Sequence, residues 1–152
     1  METKATVFDV AKYVLSKTGS ITAMKLQKLV YYAQVWSLVW DEKPLFSEQF
    51  EAWAHGPVIP ALYQAHKGLF KVSAKNISGK ISALTANQKD TIDRVLAVYG
   101  KLTAQQLIDL THWEAPWRNA RGNTPAGAPC QNEISQTDIF EYYASLSVRE
   151  SR

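Results

Sequence analysis

Cysteine is nearly missing from this sequence: Cys130 is the only one among 152 residues, so no disulfide can form within the chain. A single thiol fits a reducing compartment and excludes the small secreted domains that are stapled by several bridges. Long hydrophobic runs are missing too. The most apolar stretch, Leu29 to Trp40, is broken by Gln34 and Ser37, and it falls short of the roughly 20 residues that span a bilayer. The first residues, Met1-Glu2-Thr3-Lys4, lack the charged-then-apolar layout of a secretory leader. On these absences the chain is expected to be cytoplasmic. Neither sign of charge dominates, since 17 basic and 14 acidic residues leave a net +3. Lys67, Lys71, Lys75 and Lys80 make a loosely basic stretch that reads as solvated loop lysines; a nucleic-acid surface would carry a denser stripe. Direct binding to nucleic acid is not expected.

What is present is the composition of one globular domain over residues 1–152, with 46% hydrophobic and 20% charged residues. Aromatics reach 11%, including five Trp and seven Tyr, which marks a tight core, a sticky face, or both. Helix starts are legible as capping patterns at Thr6-x-x-Asp9, Thr85-x-x-Gln88, Thr103-x-x-Gln106 and Ser135-x-x-Asp138, with a further start at Thr22. The segment from Thr22 to Trp40 is apolar nearly all round, so it reads as the hub of the fold. Phe46, Phe50, Ala52 and Trp53 suggest an extended piece, one strand of a small hairpin. His55-Gly56-Pro57 is a sharp break, and Val58 to His66 reads as a short helix. Leu69 to Ser82 looks β-like or irregular. At Thr111–Pro116 two readings stay open: a cap at Thr111, or Pro116 as the first residue of a short helix. Arg118 to Glu133 shows no periodicity and reads as a long loop. The fold class is therefore mainly α: a compact helical domain around a buried central helix, with a small hairpin-like or extended element.

Few side chains offer chemistry. Zinc requires convergent ligands with tight local pairs, whereas His55, His66 and His112 stand far apart and Cys130 sits in the loop. No metal and no cofactor are expected. A Cys130/His112 nucleophilic pair would need a thiolate held against its base from a Gly/Pro-rich segment, a poor support for such geometry. Arg121-Gly122-Asn123-Thr124 is not a phosphate-binding loop. Two dense clusters remain, Trp53-Ala54-His55-Gly56-Pro57-Val58 and Thr111-His112-Trp113-Glu114-Ala115-Pro116-Trp117. Each joins aromatic rings, a histidine and a proline. They read either as buried frame, with His55 bonded to backbone at the turn, or as rigid platforms of the kind found at interface hot spots.

Taken in order, Lys25-Leu26-Gln27-Lys28-Leu29-Val30-Tyr31-Tyr32-Ala33-Gln34, then Phe50-Glu51-Ala52-Trp53 running into His55-Gly56-Pro57-Val58, then Leu110-Thr111-His112-x-Glu114-x-Pro116-Trp117, resemble the Panacea domain. This is the SocA-like antitoxin family of bacteria, prophages and other mobile elements. The resemblance spans about residues 5 to 145, so the DNA-binding segment that some members carry is not expected here. It implies an antitoxin rather than an enzyme, whose partner is a cognate protein toxin encoded nearby and neutralised by direct binding. A cellular protease is a further partner if the chain serves as an adaptor. The expected groove-forming residues are Trp53, His55, Gly56, Pro57, Tyr63, His112, Glu114 and Trp117, with Trp53 and His55 as braces. Two other readings are a small hydrolase-like or transferase-like enzyme using His112 and Glu114 as an acid–base pair, and a phage accessory protein that binds a host factor.

Overall fold

A computed structural model describes residues 4–150. The first helix, α1 (Val7–Thr18), starts where its cap is written: Thr6 Oγ1 accepts from the Asp9 amide at 3.4 Å, and the Thr6 amide donates to Asp9 Oδ2 at 2.8 Å. The second oxygen of Asp9 accepts from the Lys80 amide at 2.7 Å, so one carboxylate both opens a helix and fastens a distant loop. Strand β1 (Ile21–Thr22) leads into α2 (Ala23–Trp36), capped by the Thr22 hydroxyl on the Lys25 amide at 3.1 Å.

The hub expectation holds. Leu26 through Val35 are all buried, and α2 packs against α1, α4 (Ala86–Tyr99), α5 (Ala104–Trp113) and α7 (Gln136–Glu150). A helix enclosed on all sides must satisfy every polar side chain it carries. Gln34 does so with the chain that follows: its amide donates to the Phe46 carbonyl at 2.9 Å, and its oxygen accepts from the Leu45 amide at 2.7 Å. The α-helix ends at Trp36 rather than Trp40. Ser37–Asp41 continue as a wider π-helical turn, closed by Glu42 at φ +54° and held by Ser37 Oγ on the Lys43 carbonyl.

Strands β2 (Phe50–Trp53) and β3 (Gly56–Val58) form a hairpin with Ala54 and His55 at its turn, so the extended piece read from the sequence is one arm of a real ladder. Val58 therefore belongs to a strand, and the helix after it, α3, runs only over Pro60–His66. Pro60 suits that start because its missing N–H falls among the unpaired donors of the first turn. Strand β4 (Lys71–Val72) pairs antiparallel with β1, and short 3-10 turns follow at Ala74–Asn76 and Ile81–Ala83.

The 111–116 ambiguity resolves as two helices meeting at Glu114. Helix α5 continues to Trp113, and α6 (Ala115–Arg121) begins one residue before Pro116. The expected loop from Arg118 is thus shorter at both ends: Arg118–Arg121 are helical, and Glu133–Ile134 form β5, which pairs with the outer side of β2 through Phe50 and Ile134. The three-stranded sheet has the order β3-β2-β5. Among the described residues no helix is long and apolar enough to cross a membrane.

Candidate functional site

The β2–β3 hairpin turns sharply above α2, and Gly56 makes that approach possible. Its φ of +113° lies where side chains are rarely tolerated. A Cβ there would also lie 2.4 Å from Lys28 Cε and 2.9 Å from Thr111 Oγ1. The glycine leaves space for a lysine beneath the turn. Lys28 is 1% exposed, and its ammonium donates to the Pro57 carbonyl at 3.1 Å. No carboxylate pairs with it among the described residues. Burial without a counter-charge lowers its pKa to about 7.

One residue earlier, Gln27 fixes the start of α3. Its oxygen accepts from the Ile59 amide at 3.0 Å, and its Nε2 lies 2.9 Å from His66 Nε2. An amide nitrogen can only donate, so that imidazole nitrogen accepts and is unprotonated. Burial, with the neighbouring charge of Lys28, lowers the His66 pKa to match. Tyr63 meets His66 edge to face at 5.5 Å and Trp53 at 5.0 Å. Trp53 is held in turn by its indole N–H on Glu51 Oε1 at 2.8 Å.

These groups surround a cleft of about 680 Å³, a volume within the range of ligand and anchor pockets. Its walls are the first turn of α2, the hairpin tip with the exposed His55, the face of α3, the segment Lys67–Phe70, and the stretch Gly127–Gln131. That last wall is anchored. Arg121, 4% exposed, donates to the carbonyls of Ala52 at 2.9 Å, Pro125 at 2.9 Å and Ala128 at 2.8 Å, stitching the Gly/Pro-rich loop to β2. Cys130 lines the cleft and is buried.

Of the residues singled out from the sequence, Trp53, His55 and Tyr63 line the cleft, and Gly56 and Pro57 begin β3 above Lys28. His112, Glu114 and Trp117 are elsewhere. Trp117 donates its indole N–H to the Trp53 carbonyl at 2.8 Å, and His112 lies flat on it at 3.8 Å, with its Nε2 buried and unpartnered. Glu114 turns inward. Its Oε1 accepts from Tyr32 at 2.5 Å and from Tyr143 at 2.8 Å, while Tyr143 lies 3.1 Å from the Tyr31 hydroxyl. Burial raises the Glu114 pKa, partly opposed by those two hydrogen bonds.

Of the expected acid–base pair, Glu114 is engaged by tyrosines and His112 by a tryptophan, so each side chain has its own structural partner. Cys130 and His112 are not brought to one site either, because only the cysteine lines the cleft. No group of three or more metal-ligating side chains converges among the described residues. Sequence reasoning missed Gln27, Lys28 and His66. The usable signal was a lysine inside a helix already read as buried all round, a place where a charge must have a reason.

Comparison with known proteins agrees with this frame. The model of the family described as "Antitoxin SocA-like, Panacea domain" matches residues 26–118, from α2 through the start of α6. The chain is 31% identical over 124 residues to a protein named Antitoxin SocA from Caulobacter vibrioides (strain NA1000 / CB15N). The match covers 71% of this chain and 66% of that protein, just under two thirds of its length. No solved structure matches.

Proposed function

The chain belongs to the antitoxin SocA-like, Panacea-domain family, and on that premise we propose that it neutralises a cognate protein toxin by direct binding, with the hairpin–α3 cleft as the contact face. The observation that carries this reading is the cleft itself: aromatic and apolar, and fixed by buried hydrogen bonds. A rigid concave surface of that kind loses little freedom when a partner docks, which favours tight association. The Trp53–Tyr63 pair supplies the ring anchors that dominate interface energetics.

The test is co-expression with the product of the neighbouring reading frame. Growth arrest caused by that product alone should be relieved by this chain, and the two purified proteins should co-elute. A neighbour that is harmless, or a toxic one that this chain neither relieves nor binds, would overturn the proposal. The His112→Ala/Glu114→Gln double variant, with folding verified by circular dichroism, should still neutralise. If neutralisation disappears in a folded double variant, the acid–base reading returns.

A further inference from the structure

Large hydrophobic side chains left in solvent are few, and they are not scattered evenly. Of the seven among the described residues, Met24, Leu69 and Phe70 all line the cleft, exposed by 38%, 41% and 79%. Trp40, another of the seven, is covered by the Arg94 guanidinium at 4.2 Å. The Phe70 edge is also built to stay in place. The Leu69 amide donates to the His66 carbonyl at 2.9 Å, the Phe70 carbonyl accepts from the Ala23 amide at 2.9 Å, and Lys71 enters the β1–β4 ladder. A phenylalanine held by backbone on both sides, yet almost fully in water, is an anchor without its partner.

The charge around that edge is one-sided. The titratable side chains lining the cleft are Lys28, Lys67, His55, His66, Tyr63 and Cys130, with no aspartate or glutamate among them. Lys67 is exposed at the rim, and Lys28 lies under the floor without a counter-ion. In a low-dielectric concavity such an unbalanced set attracts the opposite sign more strongly than a flat surface would.

We propose that the cleft receives an acidic, apolar segment of a partner protein, its apolar side chains packing on Met24, Leu69 and Phe70 and a carboxylate seated between Lys67 and the floor above Lys28. This rests on the proposed antitoxin function for the identity of the partner, though not for the chemistry of the segment. Phe70, 79% exposed on the cleft wall, extends the apolar surface towards solvent, where a peptide passing over the rim would cover it.

The first measurement is fluorescence polarisation with the full chain and three labelled peptides of about twelve residues. One alternates Glu with Phe and Leu, and the others carry Gln or Lys in place of every Glu. The Glu peptide should bind at least tenfold more tightly than the Gln peptide and weaken as salt is raised, and the Lys peptide should not bind. Phe70→Ala and Lys67→Glu should each weaken the Glu peptide by tenfold or more, while Trp113→Ala, 80% exposed and outside the cleft, should leave it unchanged. Equal affinity for the Glu and Gln peptides, no binding of the Glu peptide, or indifference to Phe70→Ala and Lys67→Glu overturns the inference. The same variants are then tried in toxin neutralisation. Neutralisation that survives both cleft variants refutes the docking site and leaves the antitoxin function standing. Absence of neutralisation by the unaltered chain refutes that function, and the peptide result alone then judges the cleft.

Discussion

Glu114 and Lys28 are both buried in this protein, and they are treated in opposite ways. Glu114 sits among tyrosines, its oxygen accepting from two hydroxyls and a third tyrosine completing the chain. Lys28 has one carbonyl and no acid. A buried group satisfied by neighbours from α2 and α7 is part of the frame, and its removal harms folding. Lys28, beneath the cleft, is left with a single carbonyl partner, and that contrast is open to experiment. The two aromatic bends that look alike in the sequence thus differ: the 112–117 bend fastens helices together, and the 53–58 bend lines the cleft.

The largest effect should come from breaking the satisfied side. Glu114→Ala strands the hydroxyls of Tyr32 and Tyr143 in the core, and its cost should be about 3–5 kcal/mol in urea unfolding, as for a severed buried network. Tyr143→Phe, which removes one donor, should cost nearer to about 1 kcal/mol. If the two changes cost the same, the network is not cooperative and the contrast weakens.

The lysine side answers to pH. The unfolded chain holds this proton with an ordinary pKa of 10.5, the folded chain with about 7, so between those values the unfolded state binds more protons. Stability therefore rises as pH increases from 7 towards 10, and it is lost as pH falls through 7. At about 1.4 kcal/mol per pH unit over the 3.5 between about 7 and 10.5, the rise from this group is at most about 5 kcal/mol. Lys28→Met should abolish that slope in paired unfolding titrations while leaving the protein folded at neutral pH. Identical slopes for the two proteins would mean that the amine is solvated.

Gly56→Ala sharpens the geometry and should be smaller. The new Cβ collides with Lys28 Cε and occupies a positive φ, which together should cost about 2–3 kcal/mol. Combining it with Lys28→Ala should return the lysine part of the clash and leave the backbone strain and the close approach to Thr111 Oγ1, read from a double-mutant cycle. Smallest of all, Phe70→Ala should change stability by no more than about 0.5 kcal/mol, as expected for a side chain so exposed. A large loss of stability there would show that Phe70 serves the fold instead of a partner.

Much of the fold was legible because the signals were local. Thr6, Thr85 and Thr103 each hold their helix start within three residues, and each forms its two-way capping box. The all-round burial of α2 followed from its composition in the same way. Long-range pairings left no such mark. Nothing near Glu133 announces that it pairs with Glu51, and nothing near Lys71 announces Thr22. In the site, Trp53, His55 and Tyr63 were found because aromatic turns stand out. The direction taken by Glu114 depends on Tyr32 and Tyr143, from α2 and α7, and no motif around residue 114 encodes them. Lys28 was hidden because a lysine is ordinarily read as solvent-facing, and only the space left by Gly56 shows where it goes.

The three carbonyls gathered by Arg121 have a consequence for how such a protein can diversify. Because one guanidinium clamps the loop by its main chain, the side chains between Asn123 and Gln131 carry little of the attachment. That wall can be rewritten like the bit of a key while its shank, the helices and hairpin, stays as it is. Exchanging the segment between related chains should transfer partner preference, provided the arginine and the Ala52 carbonyl it holds are kept.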